Sequence, residues 1–130
     1  MDSPLKISIL AGIAAGGAVG AVMRYWISTW VYGILGQGFP YGTLTVNVLG
    51  SLVIGLLYVL LVERLNLGIE WRAVLIIGFL GSFTTFSSFS LETFNLIEQG
   101  EQLKALWNII SSVVLCLGMT WFGIAIARQL

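Results

Sequence analysis

Four long apolar stretches, separated by short segments that hold most of the charges, dominate this sequence. An α-helix rises about 1.5 Å per residue, so about 20 apolar residues cross a hydrocarbon core about 30 Å thick. Only 9% of the 130 residues are charged and 58% are apolar, which leaves too little polar surface for a soluble globular domain. The pattern therefore predicts an all-α membrane protein with four transmembrane helices. The predicted spans are residues 4–32, 43–62, 73–91 and 105–127.

The composition leaves few groups for catalysis. The chain contains no His, which excludes imidazole acid–base chemistry and removes the commonest metal ligand. The single cysteine, Cys116, has no partner for an internal disulfide and is interpreted as a small apolar packing residue. Six basic and six acidic residues balance, so we expect no nucleic-acid partner. The sequence predicts a single transmembrane domain, embedded in a lipid bilayer, that is not an enzyme.

The basic residues give only a weak preference for one orientation in the membrane. The predicted spans place Lys6, Arg64, Arg72 and Arg128 on the side of the N-terminus, and Lys104 with Arg24 on the other side. Basic residues favour the cytoplasmic side, so the count favours a cytoplasmic N-terminus by two or three charges. A bias this small permits insertion in either orientation.

Uncharged polar residues recur at every fourth position in two of the predicted helices, which places them on one face of each helix. Packed membrane helices commonly use Ser and Thr for hydrogen bonds between helices, and we favour this role for Ser51 and Thr120. A side-chain amide has two donors and two acceptors and is costly to bury for packing alone, so Asn47 is a candidate pathway residue. The two stripes are Thr43, Asn47 and Ser51 in the second span, and Asn108, Ser112, Cys116 and Thr120 in the fourth.

The first predicted helix carries a row of small residues that ends in a charge. Gly12, Gly16 and Gly20 are spaced four apart, and Arg24 follows one step further along the same face. Glycines in this pattern allow close helix approach, so they predict a packing seam. Arg24 is costly in lipid, and it either draws anions into a vestibule or extends to the membrane interface.

The third span has an unusual composition between residues 78 and 90. This segment holds two Gly, six Ser or Thr and four Phe, which is unfavourable for a continuous helix that faces lipid. We predict a helix break in the middle of the membrane, where freed backbone groups form ion sites. Phe86 and Phe89 are three apart and share a face after the break. The positive edge of a phenyl ring can contact an anion, although ordinary packing is the favoured interpretation for any single Phe.

Three segments of this chain resemble the bacterial Fluc (CrcB) family of fluoride channels. They are residues 17–25 (GAVGAVMRY), 42–50 (GTLTVNVLG) and 78–90 (GFLGSFTTFSSFS), and the similarity extends over the length and the four spans. The resemblance implies passive, fluoride-selective export across the bacterial inner membrane. It also implies an antiparallel, dual-topology homodimer with two pores and a structural sodium ion at the dimer centre.

The resemblance also assigns residues to these roles. It implies a fluoride pathway lined by Asn47, Phe86, Phe89 and a polar track at Asn108, Ser112 and Cys116; Thr43 and Ser87 are added as candidates. Family members often have Tyr at the first track position and Ser at the third, so Asn108 and Cys116 depart from the pattern. Backbone carbonyls at Gly81 and Thr84, duplicated by the two-fold axis, are the expected sodium ligands. Arg24 is the expected vestibule cation.

Two other functions remain as alternatives at this point. A four-helix, proton-coupled multidrug exporter has a similar size, but it needs a carboxylate within the membrane. None of the predicted spans contains one, and Glu92 falls one residue beyond the third span. A non-catalytic assembly subunit would account for the glycine row but not for Asn47 or the Ser/Thr/Phe segment.

Overall fold

The chain is helical almost throughout in a computed structural model, which describes Ser3 and residues 5–130. Within these residues, four helical spans are long and apolar enough to cross a membrane. This confirms the prediction of an all-helical protein with four candidate transmembrane helices. The first to fourth spans are Ile7–Leu35, Tyr41–Arg64, Ile69–Glu98 and Gln102–Gln129. The predicted start of the first span at Pro4 lies outside the described residues.

The helices continue past several of the charges that were used to set the predicted boundaries. The third span extends to Glu98, seven residues beyond its predicted end, and the first extends to Leu35. Gly36 and Gly100 follow these two helices with φ values of 82° and 80°. Glycine adopts this left-handed conformation without steric cost, so these residues end the two helices, and the third span continues past Glu92, the first charged residue beyond its predicted end.

The third span is divided into segments. Its backbone leaves the helical conformation at Thr84, with ψ 158°, and at Thr85, with φ −151° and ψ 114°. The second span also changes character, because the α-helix Tyr41–Leu57 continues as a π-helix over Tyr58–Arg64. The segments of the third span are Ile69–Arg72, a π-helix at Ala73–Leu80, the turn Gly81–Phe83 and the helix Phe86–Glu98.

The glycine row of the first span packs directly on the backbone of the third span. A Cβ atom added at Gly16 would clash with the carbonyl oxygen of Val74, and one added at Gly20 would clash with that of Phe79. Because only a glycine fits at these two positions, the interpretation as a packing seam is confirmed.

The second and fourth spans cross at a second close approach. A Cβ atom at Gly55 would clash with the backbone carbonyl of Thr120, and the Thr120 hydroxyl donates a hydrogen bond to the Ser51 carbonyl oxygen at 3.0 Å. Thr120 therefore links two helices, as expected. The buried cluster Val46, Leu80 and Phe83 lies where the second and third spans meet, just before the extended residues. This packing holds the interruption against the second span.

Candidate functional site

The side chain of Asn47 binds both backbone groups of Thr85 at the interruption. Asn47 Oδ1 accepts a hydrogen bond from the Thr85 amide at 2.8 Å, and Asn47 Nδ2 donates one to the Thr85 carbonyl at 3.0 Å. Thr85 is 8% exposed, so neither backbone group has ready access to water. The second hydrogen of Nδ2 has no partner among the described residues. Asn47 thus satisfies the interrupted backbone and still has one donor left.

Thr85 also caps the helix that follows it. Its hydroxyl oxygen accepts a hydrogen bond from the Ser88 amide at 3.1 Å, as an N-cap residue does. In a continuous helix the Thr85 amide would bind the Gly81 carbonyl, and the Ser88 amide would bind the Thr84 carbonyl. Both amides bind side chains instead. The carbonyl oxygens of Gly81 and Thr84 therefore lose their helical partners at this point.

A cavity of about 450 Å³ lies beside the interruption, between the second, third and fourth spans. Its lining has no charged side chain within the described part of the chain. Apolar walls from Ile54, Ile76 and Leu117 surround a small number of polar groups. The cavity brings together several of the predicted site residues: Asn47, Gly81, Thr84, Phe86, Phe89, Ser112 and Cys116.

The two phenylalanines form a pair at this cavity. The ring centroids of Phe86 and Phe89 lie 5.4 Å apart, and the ring planes are tilted by 51°. Phe89 is half-buried, whereas Phe86 is 78% exposed. A side chain that lines the cavity and is this exposed leaves the cavity incomplete on one side of a single chain.

Ser112 presents a buried hydroxyl to the same cavity. The residue is 7% exposed, and its Oγ has no hydrogen-bond partner among the described residues. A buried hydroxyl without a partner costs about 1–3 kcal/mol, so such groups normally contact something polar. Cys116 lies one turn further along the fourth span and is half-buried beside the cavity. From composition alone, Cys116 was interpreted as a packing residue. In the structure it also lines the cavity.

Arg24 and Ser87 lie at a different cavity, of about 290 Å³, on the other side of the interruption. Arg24 Nε is buried and has no hydrogen-bond partner within the described residues. This cavity also adjoins Phe86, the first residue of the helix Phe86–Glu98. The N-terminus of a helix carries partial positive charge and unpaired amide hydrogens. A guanidinium group, a hydroxyl and a helix N-terminus therefore share one cavity that also reaches Gly81 and Thr84.

Thr43 does not line the main cavity but binds a carboxylate. Its hydroxyl donates to Glu92 Oε1 at 2.7 Å and lies 3.5 Å from the Tyr32 hydroxyl. Glu92 is half-buried within the helix Phe86–Glu98, and its other oxygen, Oε2, is buried without a partner in the described part of the chain. The expectation that no carboxylate falls within a span was therefore wrong. The helix continues past Glu92 because the nearest stop signal is Gly100.

Asn108 is also placed outside the lining of the main cavity. It is 1% exposed, and its Nδ2 donates to the Thr93 hydroxyl at 2.8 Å. The Thr93 hydroxyl in turn donates to the Phe89 carbonyl at 2.7 Å. The structure therefore connects Asn108 to the cavity through two hydrogen bonds to the backbone of a lining residue.

Sequence reasoning missed Thr85 and Thr93, and it placed Glu92 one residue beyond the third span, whereas the helix includes it. A Thr directly before a helical pattern is an N-cap signal that could have identified Thr85. Glu92 would have been included if the third span had been extended to Gly100, where the helix stop signal lies. Thr93 has no signal in the sequence, because its partner Asn108 belongs to another helix.

Comparison with known proteins gives matches over nearly the whole chain. The family model described as CrcB-like protein, Camphor Resistance (CrcB), matches residues 11–124. A protein of Methylococcus capsulatus named fluoride-specific ion channel FluC is 51% identical over 126 residues, which are 97% of this chain but only 55% of that protein. The FluC proteins of Coxiella burnetii (strain Dugway 5J108-111) and Geobacter metallireducens are each 50% identical. These matches cover 94% and 93% of this chain, and 96% and 98% of those proteins.

The matched region includes all the residues at the interruption and at both cavities. A family model that matches residues 11–124, together with 50% identity over nearly full length, is sufficient to establish the relationship. The four spans agree with a multi-pass membrane protein. The chain belongs to the CrcB family.

Proposed function

We propose that this protein is a fluoride-specific channel that lets fluoride leave the cell passively across the inner membrane. The relatives named as fluoride-specific ion channels align over nearly the whole chain, which supports this proposal. The same names do not favour the multidrug exporter, although Glu92 does lie within a span. The proposed activity moves an ion and includes no chemical step.

The observation that carries the proposal is the set of neutral donors at the main cavity. The unpaired Ser112 hydroxyl and the remaining hydrogen of Asn47 can each donate to an anion. The edges of Phe86 and Phe89 carry partial positive charge and can contact an anion in the ring plane. Fluoride is small and strongly hydrated, so a selective pathway replaces its water with several weak donors. The described lining of this cavity contains no cationic side chain that would hold the ion too tightly to leave.

We assign the cavity at Arg24 to the entrance of the pathway. Arg24, Ser87 and the helix N-terminus at Phe86 attract an anion by charge and by hydrogen bonding. Phe86 and Thr85 line both cavities, so an ion that leaves the entrance passes directly beside the lining of the main cavity.

We further propose that two chains pair as an antiparallel homodimer. Phe86 is 78% exposed at the cavity, and Ile77 and Leu117 are exposed by 61% and 68% on the third and fourth spans. A second copy would cover this side and complete two pathways. The weak orientation preference of the basic residues supports pairing of chains inserted in opposite directions.

The interruption has carbonyl oxygens that could bind a structural sodium ion on the axis of such a dimer. The Gly81 and Thr84 carbonyls have lost their helical amides to Asn47 and Thr85. Carbonyl oxygens are ligands that a small hard cation prefers, and two chains would supply about four of them. Bound sodium would supply positive charge that stabilises these carbonyl oxygens within the membrane. The residues present fit this role.

Fluoride efflux from liposomes that contain the purified full chain tests the proposed function. We expect fluoride efflux that is much faster than chloride efflux and that does not require a proton gradient. Efflux with an obligatory proton stoichiometry, or comparable chloride currents, would contradict the proposal. Replacement of sodium by a large organic cation, with dimerisation measured in parallel, tests the metal site. Dimers and efflux that are unchanged after prolonged sodium removal would exclude it.

A further inference from the structure

We infer that Asn108 is a positioning residue, which fixes Phe89 in the fluoride pathway through Thr93 and makes no contact with the ion. This inference rests on the proposed function, since it concerns how one lining residue of the proposed pathway is held. It assigns Asn108 a different role from that of Ser112, although the two residues lie one turn apart on the same helix.

The connection consists of two short hydrogen bonds in a buried setting. Asn108 and Thr93 are 1% and 7% exposed. The Asn108 amide donates to Thr93 Oγ1 at 2.8 Å, and Thr93 Oγ1 donates to the Phe89 carbonyl at 2.7 Å. Phe89 is the only one of these three residues that lines the main cavity.

The amide of Asn108 sets the direction of the Thr93 hydroxyl. A hydroxyl has a single hydrogen, which can point to only one acceptor. Because Asn108 approaches Thr93 Oγ1 as a donor, the hydroxyl hydrogen remains directed to the Phe89 carbonyl. Without this donor, the hydroxyl can rotate toward another acceptor. The backbone of Phe89 would then lose a link to the fourth span, and its ring would lose a fixed position against Phe86.

The surroundings of Asn108 argue against direct contact with an anion. Ser112 has an unpaired hydroxyl at the cavity, whereas the Asn108 amide already donates to Thr93 and the residue does not line the cavity. Ser112, which can contact the ion, and Asn108, which supports the Phe89 ring, are thus separated by one helical turn.

Substitutions that remove one member of the connection test this inference in liposomes. Asn108→Leu keeps the size of the side chain and removes the donor, and Thr93→Val removes the hydroxyl. We expect each variant to lower fluoride efflux by roughly 2- to 10-fold, the range that one net hydrogen bond provides, and to lower the fluoride-to-chloride ratio. The double variant should lose no more than Thr93→Val alone, since both changes break the same connection. Thr93→Ser keeps the hydroxyl and should retain efflux near the original level.

A matched control and a second measurement separate positioning from general destabilisation. Thr120→Val removes another hydroxyl bond between helices, to the Ser51 carbonyl, and should leave efflux and selectivity unchanged. 4-Fluorophenylalanine at position 89 reports the ring environment by ¹⁹F NMR. We expect its signal to shift or broaden in Asn108→Leu and in Thr93→Val, but not in Thr120→Val.

The possible outcomes are distinct. Losses that add in the double variant would overturn the inference, because Asn108 would then have a role of its own. Unchanged selectivity, or an unchanged ¹⁹F signal in Asn108→Leu, would also overturn it. If the unsubstituted protein gives no fluoride efflux, the proposed function fails, and the ¹⁹F signal still reports whether Asn108 positions the ring.

Discussion

Replacement of Asn47 by leucine should destabilise the protein far more than loss of an ordinary surface hydrogen bond. Leucine has a similar volume but cannot bind the Thr85 amide and carbonyl, which now pair with Asn47 at 2.8 and 3.0 Å. Each buried backbone group left without a partner costs about 1–3 kcal/mol. Since Thr85 is 8% exposed, water cannot easily replace the lost partners, and the sum is about 2–6 kcal/mol.

Unfolding in mixed detergent micelles, followed by circular dichroism, measures this effect. Thr45→Val is the matched control on the same helix, because the Thr45 hydroxyl bonds, among the residues the structure describes, only to the Tyr41 carbonyl one turn away. We expect this control to shift the unfolding free energy by less than about 1 kcal/mol. In liposomes, Asn47→Asp should reduce fluoride efflux, because a carboxylate would stand next to the anion pathway.

Equal unfolding free energies for Asn47→Leu and the Thr45→Val control would contradict this prediction. In that case the extended conformation at Thr85 would be stable without its side-chain partner. Asn47 would then have no structural role and would serve only as a hydrogen-bond donor in the pathway. An intermediate loss of about 1 kcal/mol would mean that only one of the two bonds contributes.

Three further predictions concern the cavity and the helix seams. Phe86→Ile and Phe89→Ile should each reduce fluoride efflux sharply in a folded protein, because the bulk stays while the positive ring edge is lost; efflux at the original level would show that these rings only pack. Gly20→Ala should impair folding, since the added Cβ would clash with a backbone carbonyl, whereas Gly118→Ala meets open space and should be tolerated; equal thermal stability of the two variants would contradict this. Methyl methanethiosulfonate, which transfers a methylthio group to a thiol, should label Cys116 and reduce efflux, whereas efflux by Cys116→Ser should be unaffected. Labelling detected by mass spectrometry without loss of efflux would place the thiol outside the pathway.

The spans and the glycine seam could be predicted because their causes are local. Long uncharged stretches identify helices that cross a membrane, and glycines at every fourth position lie on one helix face whatever the partner is. The helix ends were less accurate. The predicted third span stopped before Glu92 on the basis of charge, whereas the helix ends near Gly100 because of its backbone conformation.

The main role of Asn47 could not be predicted because its partner is created by the fold. Thr85 is 38 positions away, and its amide and carbonyl need a side-chain partner only once the helix is interrupted. From the sequence, a membrane-embedded amide indicated an ion pathway. The structure adds a second task, since the amide oxygen and one amide hydrogen pair with the Thr85 backbone, and the other hydrogen remains for a ligand. The role of Asn108 could not be predicted for the same reason, because its partner Thr93 is identified only by the packing of two helices.

The interruption at Thr84 and Thr85 explains how a chain with few charges can hold ions of both signs in the proposed channel. A continuous helix pairs every internal amide with a carbonyl and offers neither to an ion. Here Asn47 and the Thr85 hydroxyl take the amides of Thr85 and Ser88, so the carbonyls of Gly81 and Thr84 become available to a cation. The helix that begins at Phe86 directs its positive N-terminus to the cavity at Arg24, where an anion would enter. One break would therefore supply both kinds of site in the proposed channel, and loss of the Asn47 amide should disturb the two together.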